Sequence, residues 1–498
     1  MEAGGDEDGK KEASAAGAQE LTGSRRGSGE ERGDGAGSPA GAGPISWSGP
    51  LSPSWRGVSL HPAMAPGPSP AAPSVAELLL RGLNLMGVLP TALLALLRRL
   101  RTLDLSSNTL SGELPCSLPR SLLMLDLSCN TLLGAVPTCL PSSLPAPHTL
   151  NLSANFLHLP LSPRLSFPAC LAALDLSRNA IFGAVPPWIV ADPDNSALLL
   201  LDLSHNCFSD EIPTGIAAIR SLKSLFLADS QLSGEIPPRI GNLTYLQVLD
   251  LSNNRLSGSV PAGLAGCFQL LYLQLGGTYG YYSMAYFLGY DQPNALKISR
   301  EIPLPLAGCR SLEVVDLSGN EISGELSSAV TKWLSLKFLS LAGNQLFGHL
   351  PDWMFSFPLL QWLDLSSNKF VSFIPDGGFN VTEVLNGGGG QAQAQATPSE
   401  TVLPPQLFVS ASVNTVSWQL DLRYDLQAAT GIDLSGNELR GEILEGLVAM
   451  KGLEYLNLSC NYLAGQIPAG LGGMGRLHTL DLSLSGEVPP KKLLLLDC

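Results

Sequence analysis

The chain has 498 residues, of which 45% are hydrophobic and 14% are charged, so it carries ample apolar material for a long core. Its formal net charge is −14, whereas nucleic-acid-binding proteins usually carry a basic stripe; we therefore expect no nucleic-acid partner. No run reaches the roughly 18 apolar residues of a membrane-spanning helix. The first residues also lack the apolar segment of a signal peptide. We expect neither a signal peptide nor a transmembrane segment in this chain.

An internal repeat dominates the sequence from Leu78 onward. The repeated block reads L-x-L-x-x-N-x-L-x-G-x-I-P, and within runs its copies begin 24 residues apart. Clear copies start at Leu103, Leu125, Leu174, Leu201, Leu225, Leu249, Val315, Leu339, Leu363, Ile432 and Leu456. A fixed period of this length predicts a solenoid whose coils stack on one another.

Each part of the block has a predicted role. Both leucines of L-x-L point inward, so every coil should add one strand to a continuous parallel sheet over a shared core. The asparagine, as in Asn108 or Asn254, follows the strand, where its amide can satisfy backbone groups left unpaired by the bend. Ser230 and Thr278 interrupt this column and predict looser turns. The predicted fold class is α/β, a leucine-rich-repeat solenoid of about fifteen coils, curved as a right-handed horseshoe with a concave parallel sheet.

Two interruptions of the period divide the chain. The spacing widens to 42 residues between Leu273 and Val315, which predicts one damaged repeat near 278–305. It widens again after Leu363, which predicts an island whose alternating segment 408–426 forms strands. The predicted segments are a disordered acidic Gly-rich leader at 1–44, a preceding segment at 45–77, about twelve repeats at 78–375, the island at 376–430, three last repeats at 431–490 and a short tail at 491–498.

The sequence contains no catalytic constellation. Its six histidines are scattered, and most aspartates, such as Asp104, Asp126 and Asp250, recur at one strand position, which favours a structural role. We therefore expect no enzyme activity, no catalytic residue, no cofactor and no metal. The nine cysteines form no dense framework. Cys116 and Cys139 fall at nearly equal places in adjacent repeats and could approach each other, but free thiols are the favoured interpretation.

Aromatic residues recur on the predicted exposed face of the sheet. Four precede the first strand leucine, and Phe226 lies between two strand leucines. The full set is Phe226, Tyr272, Phe338, Trp362 and Tyr455. Exposed aromatic anchors are typical of binding hot spots, so we predict a ligand or partner site at Phe338 and Trp362 with the adjacent island. The alternative is that each ring packs on its neighbours or on the folded-back island.

Four sequons fit the acceptor pattern for N-linked glycans. They begin at Asn151, Asn242, Asn380 and Asn457. Asn151 and Asn457 fall on the exposed strand position and Asn242 on the outer side of its coil. The pattern Asn-Leu-Ser also arises from the repeat itself, so these sites favour a secreted protein only modestly.

The L-x-G-x-I-P ending resembles the plant-specific class of leucine-rich repeats. The segment SWSGPLSPSWRGVSL, from Ser46, resembles the tryptophan-containing N-terminal cap of that class and makes 45–77 a degenerate cap. The chain also resembles plant receptor-like proteins without a kinase domain, of the CLAVATA type, which is known in grasses as the fasciated-ear type. The blocks that carry this resemblance are PSWRGVSLHP, LDLSRNAIFGAVP and GLEYLNLSCNYLAGQIPAGLGGM.

This resemblance implies a protein on the extracellular face of the plasma membrane. It implies a small secreted peptide as ligand, a membrane receptor kinase or pseudokinase as partner, and a role in meristem development. Two alternatives stay open. One is a secreted inhibitor of cell-wall hydrolases, similar to polygalacturonase inhibitors, and the other is a truncated receptor copy without function.

Overall fold

The computed structural model describes residues 58–61, 74–89, 91–94, 96–187, 189, 192, 196–277, 297–375, 407–413, 420–426, 430–443 and 445–483. The chain divides into two units, 1–51 and 52–498, and the described residues all belong to the second unit. The predicted leader 1–44, the tail 491–498 and the sequon at Asn380 lie outside the described residues.

One long sheet runs through the second unit, and we call it the main sheet. Its first strand pairs antiparallel with the second, and the remaining fifteen strands are parallel in chain order. The strands are Val58–His61, Ser74–Leu79, Thr102–Asp104, Met124–Asp126, Thr149–Asn151, Ala173–Asp175, Leu200–Asp202, Ser224–Phe226, Val248–Asp250, Tyr272–Gln274, Val314–Asp316, Phe338–Ser340, Trp362–Asp364, Gly431–Asp433, Tyr455–Asn457 and Thr479–Asp481. The predicted leucine-rich-repeat sheet of about fifteen coils is confirmed.

The strands pair in register with the sequence repeat. Leu201 pairs with Leu225, which pairs with Leu249, and each of these central leucines is fully buried. One continuous apolar core extends from Val75 to Met474. Each coil thus buries its leucines against the coils on both sides, as a solenoid requires. Truncating one such leucine to alanine would cost about 2–5 kcal/mol of stability.

A second row of short strands follows the asparagine turns. These strands are Met86–Val88, Thr109–Glu113, Thr131–Gly134, Phe156–Leu157, Phe182–Ala184, Cys207–Ser209, Ser233–Glu235, Arg255–Gly258, Lys297–Arg300, Glu321–Gly324, Gln345–Gly348, Lys369–Phe370, Arg440–Gly441 and Tyr462–Leu463. Gly258 and Gly324 there have φ of +82° and +94°, a backbone region that glycine enters without steric cost.

Short helical turns complete the coils. They are the α-helical turns Thr91–Leu94 and Leu140–Ser143 and the 3₁₀ turns Thr214–Ala218, Pro238–Asn242, Ala262–Gly266, Leu304–Gly308, Ser328–Lys332, Asp352–Phe355, Glu445–Ala449 and Ala469–Gly473. Proline precedes most of the 3₁₀ turns, as at Pro213 and Pro261. Its fixed φ suits the residue at which each turn begins.

The stretch 278–305 is predicted to be a damaged repeat, and most of it, 278–296, lies outside the described residues. On either side of it, strands Tyr272–Gln274 and Val314–Asp316 pair directly in the main sheet. Lys297–Arg300 pairs between two strands of the second row and continues it. The damaged repeat stays a prediction.

A buried asparagine closes the turn after most main-sheet strands. The side-chain amide of Asn254 donates to the carbonyls of Leu227, Leu251 and Ser252 at 2.8, 3.0 and 3.1 Å, and its Oδ1 accepts from the backbone N–H of Leu232 at 3.0 Å. In ten other coils the equivalent asparagine also donates its side-chain amide to backbone carbonyls. These residues are Asn108, Asn130, Asn155, Asn179, Asn206, Asn320, Asn344, Asn368, Asn437 and Asn461. The predicted role of this column is confirmed.

One disulfide joins two adjacent coils. Cys116 and Cys139 are bonded, with Cα atoms 5.6 Å apart. Free thiols were the favoured interpretation for all cysteines, and this was wrong for the pair because stacking places the two coils within bonding distance. Six other described cysteines are free: Cys129, Cys170, Cys207, Cys267, Cys309 and Cys460.

The island contains the strands that its alternating sequence predicts. Leu407–Val413 and Leu420–Leu426 pair as an antiparallel hairpin, which we call the island hairpin. Its first strand lies against main-sheet strand Leu200–Asp202, far from it in sequence. Among the described residues, no helix has the length and apolar character that crossing a membrane requires.

We predict that replacing Asn254 with alanine destabilises the coils around it by about 3 kcal/mol, because several buried backbone groups lose their partner at once. Urea unfolding together with hydrogen exchange of the flanking coils measures this. Alanine at exposed Asn242 is the control, and its effect should stay within about 0.5 kcal/mol. Equal effects of the two substitutions would contradict the assigned role.

Candidate functional site

The first and third residues of each main-sheet strand point away from the core, and we call this surface the front face. The first positions of neighbouring strands form one row: Ala173, Leu200, Ser224, Val248, Tyr272, Val314, Phe338, Trp362, Gly431 and Tyr455. The third positions form a second row, in which most residues are aspartates and the others include Asn151, Phe226, Gln274, Ser340 and Asn457.

The front-face aromatics are buried, which corrects the prediction that they face solvent. Trp362 is 1% exposed and Tyr272 is 2% exposed, while Phe226, Phe338 and Tyr455 each stay below 9%. They form a second apolar cluster with smaller side chains of the same rows. Side chains of one row pack along the sheet, and the ring of Trp362 contacts that of Tyr455 across Gly431. The alternative that these aromatics are packed, and not free at the surface, is the one that the structure supports.

The predicted pair Phe338 and Trp362 does lie on neighbouring strands, and the structure adds Tyr455 to it. The rings of Trp362 and Tyr455 lie with centroids 5.2 Å apart and planes tilted by 37°. Gly431 stands between them in the row, and a Cβ there would lie within 3 Å of three atoms of the Trp362 ring. The indole therefore occupies the space that a side chain at Gly431 would fill. Tyr272 and Phe226 lie further along the sheet.

A polar network adjoins these rings. The hydroxyl of Tyr455 donates to Oδ2 of Asp433 at 3.0 Å, and the Asn457 amide donates to the same oxygen at 3.1 Å. Burial and then the Asp433 carboxylate raise the pKa of Tyr455 to about 12, so the phenol stays protonated and can donate. The arrangement therefore fixes a hydrogen-bonded carboxylate beside packed aromatic rings.

The aspartates of the third row are fixed by serines two residues later. Ser204 donates its backbone N–H and its hydroxyl to Oδ1 of Asp202, at 2.9 and 2.6 Å. Burial and then the neighbouring Asp175 carboxylate raise the pKa of Asp202 to about 8. The island hairpin lies against the strand that carries Asp202. The periodic hydrogen bonds confirm the structural role expected for these aspartates.

Two pairs of polar side chains lie next to the main-sheet strands. Lys337 donates to Glu313 at 2.8 Å with both side chains about a quarter exposed. His205 and Asp229 lie 3.0 Å apart in neighbouring coils, a pair that sequence reasoning missed. Within the described ranges, no group of three or more potential ligand side chains is arranged to hold a metal ion.

Two family models match the repeats of this chain. A model described as "Leucine rich repeat" covers residues 306–370, and a second, "Leucine Rich Repeat", covers 99–120, 197–219, 221–243, 245–267 and 452–474. These matches coincide with the stacked coils and their asparagine turns. The chain is a leucine-rich-repeat protein.

One curated protein is a much more specific match than the repeat families. The leucine-rich-repeat chain is 82% identical over 411 residues to the leucine-rich repeat receptor-like protein FASCIATED EAR2 of Zea mays. The match covers 81% of this chain and 66% of the maize protein, so the chain spans about two thirds of its relative's length. The resemblance to plant receptor-like proteins that the sequence motifs indicate is confirmed.

Solved structures give the same fold. The ectodomain of the Arabidopsis receptor kinase HAESA, in complex with an IDA peptide hormone, is 28% identical with a TM-score of 0.61, and the match covers 83% of this chain and 58% of that one. The ectodomain of the receptor kinase GASSHO1/SCHENGEN3 from Arabidopsis thaliana, in complex with CASPARIAN STRIP INTEGRITY FACTOR 2, is 26% identical with a TM-score of 0.58, covering 81% of this chain and 44% of that one.

The three described sequons of the leucine-rich-repeat protein differ in environment. The amides of Asn151 and Asn457 each bond a neighbouring aspartate through nitrogen and accept from Ser153 or Ser459 through oxygen. Asn242 is exposed at the end of a 3₁₀ turn. The structure therefore leaves Asn242 the most accessible acceptor of the three.

Sequence reasoning named the aromatics of the site but missed Gly431 and Asp433. A signal for Gly431 was present, since glycine stands where the neighbouring coils carry a side chain, and large aromatic ones at Trp362 and Tyr455. Its neighbour across the sheet, Trp362, is separated from it by the whole island in sequence, and only the strand pairing shows that they meet.

We predict that Asp202→Asn flattens the pH dependence of stability. The pKa of Asp202 lies near 8 in the folded state against 3.8 ordinarily, so the unfolded chain loses this proton first as pH rises. The folded state therefore holds more protons between about pH 4 and pH 8, and the free energy of unfolding falls as pH rises through that window. Asparagine removes the titration and can keep the serine bonds, as Asn151 does with Ser153.

Chemical unfolding at several pH values measures the effect. Asp210→Asn is the control, because that carboxylate is exposed on the same coil. An Asp202→Asn slope that matches wild type through the whole window would contradict the prediction.

Proposed function

We propose that this leucine-rich-repeat chain is a receptor-like binding protein that perceives extracellular peptide signals. In this proposal it acts without catalysis, at the extracellular face of the plasma membrane, with a membrane receptor kinase or pseudokinase as partner. The identity of 82% with a leucine-rich repeat receptor-like protein carries the proposal. Meristem development is the process that the sequence resemblance implies, and it forms part of the same proposal.

Structural neighbours support the kind of ligand. The HAESA ectodomain at 28% identity was solved with a peptide hormone, and a related structure of 26% identity holds HAESA with both the peptide hormone IDA and the co-receptor SERK1. Each of these structures has a TM-score above 0.5. We infer that this chain binds a peptide by a comparable use of its repeats.

We place the ligand site of this proposal on the front face, on the coils that flank the island in sequence. Trp362, Tyr455 and Phe338 form a buried aromatic cluster there, and Asp433 supplies a carboxylate that the Tyr455 hydroxyl and Asn457 amide hold in place. Because the rings are packed before a ligand binds, they would hold the site in one shape, and little side-chain entropy would be lost on binding. Tyr272 and Phe226 extend the same apolar cluster and are proposed as outlying contacts.

Glycosylation belongs to the same proposal, since it requires passage through the secretory pathway. Of the described sequons, Asn242 is the proposed glycan site, because it is exposed and lies away from the front face. Asn151 and Asn457 are engaged in front-face hydrogen bonds, and a glycan on either would break them. The site at Asn380 remains a prediction from its sequence pattern.

The test screens a panel of synthetic plant secreted peptides against the purified chain and its variants. We predict that at least one peptide binds and that Trp362→Ala weakens this binding about tenfold or more, because the site loses the packed indole that holds its shape. Gly431→Ala should act in the same direction without removing a ring, because its methyl group displaces the indole. Isothermal calorimetry measures both affinities.

A matched control and a competing ligand make the test decisive. Gly472→Ala is the control, since a Cβ there meets nothing within 4 Å. A polygalacturonase is tested separately from the peptides, because it is the ligand expected of a cell-wall hydrolase inhibitor. Binding to the hydrolase with no peptide bound would overturn the receptor proposal, and unchanged peptide affinity in both Trp362→Ala and Gly431→Ala would overturn the proposed site.

A further inference from the structure

A cavity of about 720 Å³ lies on the second row of strands, and we call it the side groove. It is lined by residues 301–305, 324–327 and Phe347. These residues come from the second-row strands Glu321–Gly324 and Gln345–Gly348, the 3₁₀ turn Leu304–Gly308 and the segments next to them. None belongs to a main-sheet strand, so the side groove is separate from the front-face site.

A local change in the repeat leaves room for the groove. The coil before it ends its block with Ile302-Pro303 and the coil after it with Leu350-Pro351, but this coil carries Leu326-Ser327. Ser327 accepts a hydrogen bond from the Ala329 backbone N–H at 3.3 Å and still begins a 3₁₀ turn. Serine lacks the pyrrolidine ring, so the chain keeps its path while less side-chain volume fills the space between the coils.

Apolar side chains form exposed walls of the groove. Leu304 is 63% exposed and Phe347 is 49% exposed. Other coils carry polar residues at one or both of these positions: Thr214 stands where Leu304 stands, and Ser257 stands where Phe347 stands. Leu133, Phe182 and Val371 are apolar at the Phe347 position, so the groove is distinguished by Leu304 together with Phe347. Large apolar side chains that line an exposed cavity are typical of an interaction surface.

Two carboxylates stand beside these walls on consecutive coils. Glu301 lies over Gly324, with its Oε1 3.2 Å from the position of the missing Cβ, and Glu325 lies over Gly348 in the same way, also at 3.2 Å. Both glutamates are exposed, and within the described part of the chain neither has an ion-pair partner. Strand spacing of about 4.8 Å holds the two like charges close together, so a cation between them would be favoured.

We propose that the side groove docks a partner polypeptide through an arginine next to an aliphatic side chain. The guanidinium has donors enough for both carboxylates and a plane that can stack on the Phe347 ring. The aliphatic neighbour covers Leu304. A small cation alone would leave the apolar walls exposed, and an uncharged apolar segment would leave Glu301 and Glu325 unpaired. The proposal is independent of the front-face ligand, because the two surfaces share no residue.

The chain contains a matched control for the charges. Glu211 and Glu235 lie over Gly234 and Gly258 on consecutive coils, with Cγ 2.8 Å from each missing Cβ. This pair repeats the carboxylate geometry of the side groove but has Thr214 and Ser257 in place of the apolar walls. Charge alone would make the two pairs equivalent, whereas the proposed docking requires the groove.

The experiment uses the full chain and a short synthetic peptide that carries one arginine beside a diazirine-bearing leucine. After photolysis, mass spectrometry should place the cross-links at 301–305, 324–327 and Phe347. The same peptide with citrulline, a neutral analogue of arginine, should cross-link about tenfold less, as should the variant Glu301→Gln with Glu325→Gln. Leu304→Thr with Phe347→Ser should lose the cross-links while keeping the fold, because both side chains are exposed.

The controls separate this proposal from the others. Glu211→Gln with Glu235→Gln and the front-face variant Trp362→Ala should both cross-link as wild type does. Equal yields from the arginine and citrulline peptides on the unaltered chain would overturn the proposal. Cross-links at Glu211 and Glu235 as strong as those in the groove would overturn it as well, and neither result would bear on the front-face proposal.

Discussion

Most of the described coils depend on the amide of one buried asparagine. Where the chain leaves a main-sheet strand it must turn sharply, and the turn leaves carbonyls and an N–H unpaired inside the apolar core. The amide of Asn254 satisfies three carbonyls and the N–H of the previous coil with one side chain. Because its partners belong to two coils, the bond that closes one turn also sets the position of the next. The parallel register, and with it both candidate surfaces, follows from this repeated link.

On the front face, the stacking of coils decides whether an aromatic side chain is exposed or buried. A single aromatic residue on the outward side of one strand would be exposed. Repetition at the spacing of adjacent strands puts large side chains against one another, and Trp362 and Tyr455 cover each other over the gap left by Gly431. The same stacking brings aspartates together, which is why burial and a neighbouring carboxylate raise the pKa of Asp202. The same stacking thus creates an apolar cluster and, beside it, a row of aspartates in which burial and neighbouring carboxylates raise the pKa.

The two proposed surfaces use the coil in different ways. The front-face site lies on the main sheet, on coils that flank the island in sequence, and its aromatics belong to a packed cluster. The island hairpin itself lies against the strand Leu200–Asp202. The side groove lies between second-row strands, where Ser327 replaces a proline and Leu304 and Phe347 are exposed. A solenoid makes such a division natural, since each coil presents several independent sides and a departure from the repeat on one side leaves the others unchanged.

The sequence by itself determined the fold, the identity of the core leucines, the role of the asparagine column and the strands of the island. Period and spacing are local properties, and each coil repeats the same local solution. Only the tertiary structure decided that the aromatics are covered, that Cys116 bonds Cys139, and that the strands Tyr272–Gln274 and Val314–Asp316 pair directly. These outcomes depend on which coils become neighbours across long insertions, as Trp362 and Gly431 do across the island. Which distant segments become neighbours is set by the stacking of the coils, and no local pattern in the chain specifies it.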